Sequence, residues 1–509
     1  MKLFRSPVLA VLDGQGSSLA ILVLVISFTG ILSQITRSSS DNLNNHINLK
    51  PKSASNLDQT NSPSRFNSPQ AKKFKMPRQL PAINFEIDQT YAGLLDISHG
   101  SSEHIKLFFF FVPSQTQRGA KDLTLWTNGG PGCSSLVGAF QENGPIMWDQ
   151  GSETPIKNPY SWHTRSNMLY LEHPSQVGFS EGNVIVNNEN QVAKFIFRFL
   201  NAWLKVFPEM ANSNLYLTGE SYAARYLSYT ADLIYSKQDQ LQLALKGLFV
   251  SDGFFADSMI LQQIPVYPYV LKHQNAFKFN TTFMAKLKKV DQTCGYSQYM
   301  QKYLVYPPSG PLPNLNRASS LKPSVVKPEC DIASLMSAAL PQDFNFYNIL
   351  KKKSYDYIFD SHPSYFNLYS VRSAFNVLGH KQWESCLTSN ASLFPHGDQS
   401  PPPTLTVLPD VIRKNKRTIL AHGHLDSVLF IQGAELSLQN LTWNGAQGFQ
   451  NPKSQAFLVS SQIKGKYRSE RGLTHITVDN SGHMFPHDEP QAALQVLEYL
   501  LGQRQSLSS

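Results

Sequence analysis

The chain has 509 residues, of which 41% are hydrophobic, 11% aromatic and 16% charged, with a formal net charge of +9. That composition supplies a real core and excludes the disordered and fibrous classes. The surplus cations are scattered, with Lys351-Lys352-Lys353 and the group Lys72, Lys73 and Lys75 as small clusters and no basic stripe interleaved with aromatics, so no nucleic-acid partner is expected.

At the N-terminus, Lys2 and Arg5 precede an apolar run over residues 19–35, interrupted by Ser27, Thr29, Gly30, Ser33 and Gln34. A basic start followed by such a run reads as a secretory signal, here residues 1–36. The run approaches the roughly 20 residues that span a bilayer, so an uncleaved anchor is the alternative, and membrane contact is expected only in that case. The Ser/Asn/Pro-rich stretch that follows makes residues 37–75 a disordered linker or propeptide. Four cysteines and three Asn-x-Ser/Thr sequons, at Asn280, Asn390 and Asn440, fit the same route, ending outside the cell or in a vacuole.

Beyond the linker, residues 84–97 and 104–112 read as an antiparallel pair. Short apolar runs then end repeatedly in polar or glycine-rich turns: 123–126, 168–171, 215–217, 248–250, 418–421 and 476–478. Such strands, separated by helical stretches, predict an α/β fold with a doubly wound, mostly parallel sheet. Val192, Phe195, Ile196, Phe199, Leu200, Trp203, Leu204 and Phe207 mark one face of an amphipathic helix that Pro208 stops. Asp488-Glu489-Pro490 opens another, carrying Leu494, Leu497, Leu500 and Leu501. Residues 254–410 break the alternation, with proline-rich interruptions, and read as a helical cap insertion between two parts of the core, 76–253 and 411–503.

Doubly wound sheets react at the carboxyl ends of their strands. Gly219-Glu220-Ser221-Tyr222-Ala223 lies at such an end and suits a nucleophile elbow, although Ala223 stands where G-x-S-x-G has its second glycine. On this architecture a triad follows in the order Ser, Asp/Glu, His. Asp426 and His483 come after later strands in that order, with Asp479 and Asp488 as other sources of the acid. His422-Gly423-His424-Leu425-Asp426 resembles the start of a two-metal hydrolase loop, but Ser427 stands where the next ligand belongs, and no Cys/His set has zinc spacing. No metal and no cofactor is expected.

Several separated blocks resemble the serine carboxypeptidase family, most closely its secreted fungal branch. They are Trp126-Thr127-Asn128-Gly129-Gly130-Pro131-Gly132-Cys133-Ser134-Ser135-Leu136, Glu142-Asn143-Gly144-Pro145, Asn158-Pro159-Tyr160-Ser161-Trp162, Gly219-Glu220-Ser221-Tyr222-Ala223 and Gly482-His483-Met484. The resemblance covers residues 91–502 and implies the α/β-hydrolase fold, with Ser221, Asp426 and His483 as the triad. It implies backbone N–H groups of Gly130 and Tyr222 as the oxyanion hole. Trp126, Asn128, Gly129, Glu142, Glu220 and Met484 are implied as the binding site for the C-terminal residue of a peptide or protein. Protonated Glu142 and Glu220 would donate to the terminal carboxylate, so recognition should weaken as pH rises. Spacing leaves all three pairings of four cysteines open; the resemblance implies Cys133 with Cys386 and Cys294 with Cys330. The sequence departs from the family where Ala224 and Asn480 replace glycine, where Ser175-Gln176 replace a glycine-containing loop, and where Ser251-Asp252-Gly253 replaces Gly-Asn-Gly. The expected activity is release of C-terminal amino acids at acidic pH through an acyl-enzyme. An acyltransferase on the same scaffold and a catalytically weak secreted binding protein are the alternatives.

Overall fold

The computed structural model describes residues 66–313, 326–387 and 393–508. The expected signal or anchor and sequon Asn390 lie outside the described residues. No helix among the described residues is long and apolar enough to cross a membrane.

Ten strands line one sheet: β1 Tyr91–Asp96, β2 Ile105–Val112, β3 Asp122–Thr127, β4 Asn167–Leu171, β5 Ser213–Glu220, β6 Leu243–Ser251, β7 Arg417–Gly423, β8 Gln455–Val459, β9 Gln462–Glu470 and β10 Leu473–Val478. Their spatial order is β1-β2-β4-β3-β5-β6-β7-β10-β9-β8, and a two-residue strand, Glu181–Gly182, pairs beside β2. The six strands from β4 to β10 run parallel to their neighbours, flanked by antiparallel pairs at both edges.

Both faces of this sheet are covered, which explains its unbroken apolar strands. In β2, Leu107, Phe109 and Phe111 enter one core while Phe108, Phe110 and Val112 enter the other, as the two-residue repeat of a strand demands. The first core is closed by helices α1, Glu189–Val206, and α2, Ala223–Ser236. Asn188 caps α1 by accepting from Gln191 N at 3.2 Å, and the chain turns out of the helix at Phe207 before Pro208. Val192, Phe195, Ile196, Phe199, Leu200 and Trp203 are all buried on its inner face. Truncating Trp203 to alanine would cost about 3–5 kcal/mol on the scale of buried aromatic deletions.

Packing already includes the ten described residues ahead of the expected boundary at 76. Residues 66–75 had the composition of the linker, yet Phe66 is buried against Tyr91, Phe111 and Phe207, and Ser68 caps the short helix Pro69–Lys72. Three apolar residues, Phe66, Ala71 and Phe74, anchor a segment that reads as polar.

No strand of the main sheet lies among the described residues between β6 and β7, but this region does not pack as a single cap. Residues 259–312 and 326–349 contain helices α3, Thr281–Cys294, and α4, Tyr296–Tyr303, and form a separate apolar cluster with Leu425, Phe430 and Leu436 of the body. Phe430 and Leu436 flank and belong to helix α5, Ile431–Asn440. The Cys294–Cys330 disulfide ties the end of α3 into this cap. The chain then returns: Ile358, Tyr365, Phe366, Val371, Phe375 and Trp383 join the second core beneath the sheet, on the same side as helix α6, Pro490–Leu500. The proline breaks are visible in the sequence, but which core a helical stretch enters is not.

Candidate active site

Four consecutive neighbours in the sheet, β5, β6, β7 and β10, end side by side. Ser221 follows β5, Asp252 follows β6, Asp426 lies three residues beyond β7, and His483 stands in the loop after β10. The carboxyl ends of these central strands thus gather residues drawn from about half the length of the chain.

Ser221 occupies a sharp strand-to-helix turn with φ +60°, a backbone region disfavoured for a residue with a Cβ. The turn is held by Ser221 N donating to Ser251 O at 3.0 Å, and by Ala224 N and Phe254 N donating to Ser221 O at 3.1 and 2.9 Å. A Cβ at Gly219 would meet Thr127 O and come within 2.8 Å of the Ala223 methyl. The elbow therefore requires glycine at 219 and accommodates a methyl at 223, which accounts for the one missing glycine.

His483 Nδ1 donates to Asp426 Oδ2 at 2.7 Å, and Asp426 Oδ1 accepts from Val428 N and Leu429 N at 2.8 and 3.1 Å. Both side chains are buried. The other two candidate acids are placed elsewhere. Asp488 accepts from Gly482 N and Asn348 Nδ2 at 2.7 and 2.9 Å and pairs with Lys351, while half-exposed Asp479 faces His424. The Tyr347 ring stands edge-on to the His483 ring at 5.1 Å, and Tyr347 O accepts from His483 N at 2.7 Å. Among the described residues no hydrogen bond joins Ser221 Oγ to the imidazole. His422 Nε2 donates to Leu429 O at 2.7 Å, so this histidine of the apparent metal loop holds the loop that carries Asp426.

The glycine-rich loop lies directly against the Ser221 turn. A Cβ at Gly129 would strike Tyr222 N and stand 2.8 Å from Ser221 Cβ, so only glycine lets Gly130 and Tyr222 approach each other. The loop is pinned by the Cys133–Cys386 disulfide, by Ser134 N to Ser385 O at 2.8 Å and Leu387 N to Gly132 O at 3.0 Å, and by Gly132 N donating to the Tyr226 hydroxyl at 3.1 Å. Behind it, buried Glu172 accepts from Ser134 Oγ, from Phe179 N at 2.6 Å and from Trp383 Nε1 at 3.1 Å. Burial pushes the Glu172 carboxyl up to about 7.

Glu142 and Glu220 are both buried and meet at Asn128, whose Nδ2 donates to Glu142 Oε1 at 3.0 Å and to Glu220 Oε1 at 2.9 Å. The amide is itself oriented: its Oδ1 accepts from Trp126 Nε1 at 2.9 Å and Gly138 N at 3.0 Å. Trp126 thus uses its single N–H to position Asn128 and has none left for a ligand. Burial raises the Glu142 carboxyl above its usual range. Burial, with the nearby Glu142 charge second, raises Glu220 well above it. Met484 follows His483 and accepts His487 N at 3.1 Å. Burial opposes a charge on His487, but Asp149 at 3.3 Å and Asp488 at 3.2 Å outweigh it and hold its pKa up at about 9.

Sequence reasoning singled out neither Glu172 nor Tyr347 and treated Asp252 only as a departure. Their signal was weak, because each matters through contacts with residues far away in sequence. Of the sequons, Asn280 caps α3 by accepting Phe283 N, and Asn440 Oδ1 accepts Leu312 N.

The model of the serine carboxypeptidase family matches residues 81–503. A probable serine carboxypeptidase of Arthroderma benhamiae is 35% identical over 482 residues, covering 87% of this chain and 89% of that protein. The serine-type carboxypeptidase F of Aspergillus niger is 32% identical, covering 84% of this chain and 86% of that one. Among solved structures, the prohormone-processing carboxypeptidase KEX1(delta)p of Saccharomyces cerevisiae has the same fold, with a TM-score of 0.69 at 21% identity over 86% of this chain and 97% of that chain. The family match spans the ends of β5, β6, β7 and β10, the glycine-rich loop and the cap alike, and the chain belongs to the serine carboxypeptidase family, as an enzyme of the α/β-hydrolase fold.

Proposed function

We propose that this protein releases C-terminal amino acids from peptides and proteins at acidic pH, through an acyl-enzyme on Ser221. In this reading Ser221 Oγ attacks the last peptide carbonyl while His483 takes its proton, and Asp426 holds the imidazole with Nδ1 protonated. The N–H groups of Gly130 and Tyr222 receive the developing oxyanion, positioned before the reaction begins. His483 then gives the proton to the departing amine. A water molecule, activated by the same imidazole, releases the acyl group and restores Ser221.

The observation that carries the reading is the Glu142–Asn128–Glu220 cluster. An ester hydrolase has no use for two buried acids beside its nucleophile, whereas a site for a free carboxylate needs donors. Asn128 Nδ2 donates to Oε1 of each acid, and among the described residues no other donor reaches Oε2 of either, while the two carboxyls stand within hydrogen-bonding reach of each other. Those oxygens are the places for the acidic protons, which would then donate to the substrate's terminal carboxylate. The raised affinity of both acids for a proton supplies the acidic working range. Trp126 acts through Asn128, while Gly129 lets the loop close. Peptides with a free C-terminus are the substrate class of the family, and two disulfides fit an oxidising, secretory destination, extracellular or vacuolar.

The test is an assay of purified protein on a blocked dipeptide and its C-terminal amide from pH 4 to 8. Release of the free amino acid, strongest in acid, weak from the amide and lost in Ser221→Ala, supports the proposal. A folded protein that releases nothing from any peptide refutes it. Transfer of the acyl group to an added alcohol in preference to water favours an acyltransferase.

A further inference from the structure

Between the strands that carry Ser221 and Asp426 stands β6, and its end brings a further buried carboxyl into the triad. One oxygen of Asp252, one oxygen of Asp426 and a ring nitrogen of His483 lie within 4.8 Å of one another, and all three side chains are buried. Asp252 is fixed there from both sides: its N–H donates to Ala421 O at 2.9 Å and its Oδ1 accepts Gly423 N at 2.8 Å. Its backbone has φ +48°, a conformation that aspartate and asparagine tolerate better than other residues with a Cβ. Its other oxygen, Oδ2, is buried without a donor from any described residue.

We propose that Asp252 is a positioning residue of the catalytic machinery, a neutral acid whose Oδ2–H donates to Asp426 and thereby keeps His483 available as a base in acid. Two buried carboxylates side by side repel, so one of the two takes a proton. Asp426 accepts two backbone N–H groups and the imidazole, all of which favour its charge, whereas Asp252 accepts one N–H. The proton therefore resides on Asp252. Burial, with the neighbouring Asp426 charge second, also raises Asp252 well above the usual carboxyl range.

The other ionisable groups around the pair leave this assignment intact. His422 Nε2 stands 3.6 Å from each of the two aspartates, but it points its hydrogen at Leu429 O, and burial keeps the ring neutral. Glu220, at the end of β5, is held protonated by burial. Asp488 is ionised, yet Lys351 and His487 are its direct partners. Tyr269 of the cap helix Val266–Lys272 gives its hydroxyl hydrogen to His424 O at 3.1 Å.

The consequence concerns the imidazole. An Asp426 carboxylate that shares its charge with a second donor pulls less strongly on the Nδ1 proton of His483 and stabilises the imidazolium less. The ring then stays unprotonated further into acid, where Glu142 and Glu220 are protonated and the substrate carboxylate is bound. The triad and the carboxylate site would otherwise work in different pH ranges.

The test compares wild type with Asp252→Asn and Asp252→Gly by kcat/KM on a blocked dipeptide between pH 3.5 and 8. Asparagine keeps an N–H toward Asp426 and cannot ionise; glycine removes the donor and adopts a positive φ without strain, so folding is retained. Asp252→Asn is expected to keep the acid limb of the wild-type profile, and Asp252→Gly to move that limb upward by about one pH unit. The titration of the His483 ring, followed by NMR in a Ser221→Ala background, should show the same pattern without turnover. The proposal is overturned by an Asp252→Gly limb and ring titration equal to wild type. It is equally overturned by an Asp252→Asn limb that matches Asp252→Gly or falls below wild type, the latter being the mark of an ionised Asp252. The inference rests on the carboxypeptidase reading: a wild-type protein without peptidase activity refutes that reading, while the ring titration still decides the role of Asp252.

Discussion

Glu142 and Glu220 accept hydrogen bonds from one and the same nitrogen, Asn128 Nδ2, at 3.0 and 2.9 Å. Sharing a donor brings two buried carboxyls together where only protonation relieves their repulsion, which is what the proposed pH-dependent binding of a substrate carboxylate requires.

The sign of that dependence is fixed by the raised affinity of both acids for protons. Under the proposed function they are neutral and donate in acid, and as pH rises they ionise and repel the substrate carboxylate. KM of the wild type should therefore climb with pH, and Glu142→Gln or Glu220→Gln should flatten the climb, because an amide donates at every pH. Steady-state KM from pH 4.5 to 7.5 measures this, and a variant whose KM climbs as steeply as wild type contradicts it.

The triad roles predict that Ser221→Ala reduces turnover to background and that Asp426→Asn lowers kcat by about 10⁴, the penalty seen when a triad acid is replaced by its amide elsewhere. Asp479→Asn, whose parent side chain is half-exposed and faces His424, should leave kcat unchanged. If Asp479→Asn instead matched the loss in Asp426→Asn, the assignment of the acid would be wrong.

Trp126→Phe removes the hydrogen bond that orients Asn128 but keeps an aromatic ring against Trp162. A net hydrogen bond is worth about 0.5–1.5 kcal/mol, so KM should rise by up to about tenfold with little change in kcat. A fall in kcat at constant KM would place Trp126 in the chemical step.

Glu172 couples stability to pH. Its folded carboxyl is raised to about 7 by burial, above its ordinary 4.5, so the folded state holds a proton that the unfolded chain has already released. Its stabilising contribution is full below pH 4.5 and is lost as pH rises to 7, an upper limit of about 3 kcal/mol at 1.36 kcal/mol per unit. Denaturant titrations of wild type and Glu172→Gln at pH 5 and 7 should show the wild type losing more stability over that interval. Equal losses would remove Glu172 as the source.

Local pattern made much of this molecule legible. The apolar face from Val192 to Trp203 and the stop at Pro208 specify α1 because helix period and backbone breakers act over a few residues. The alternation of strands and helices likewise specifies a parallel sheet. The region between residues 254 and 410 was only partly legible: its proline breaks are local, but its return to the body core is decided by Phe366 packing against Phe140, with Phe375 and Trp383 packed on Phe366. Phe66 illustrates the same limit, since one ring buried among Tyr91, Phe111 and Phe207 outweighs a linker-like composition.

By itself, then, the sequence determined the family, the order of Ser221, Asp426 and His483 along the chain, and the presence of two acids, because motif identity and strand-end position are local properties. The tertiary structure alone decided that Trp126 turns inward to Asn128, that Glu142 and Glu220 share one donor, and that Asp252 stands beside Asp426, while the Asp426–His483 contact and the two disulfides are those the resemblance implied. Those choices depend on distances between strand ends far apart in sequence, and on a shared burial that no single segment carries: a carboxyl's state of protonation is set by its neighbours in space.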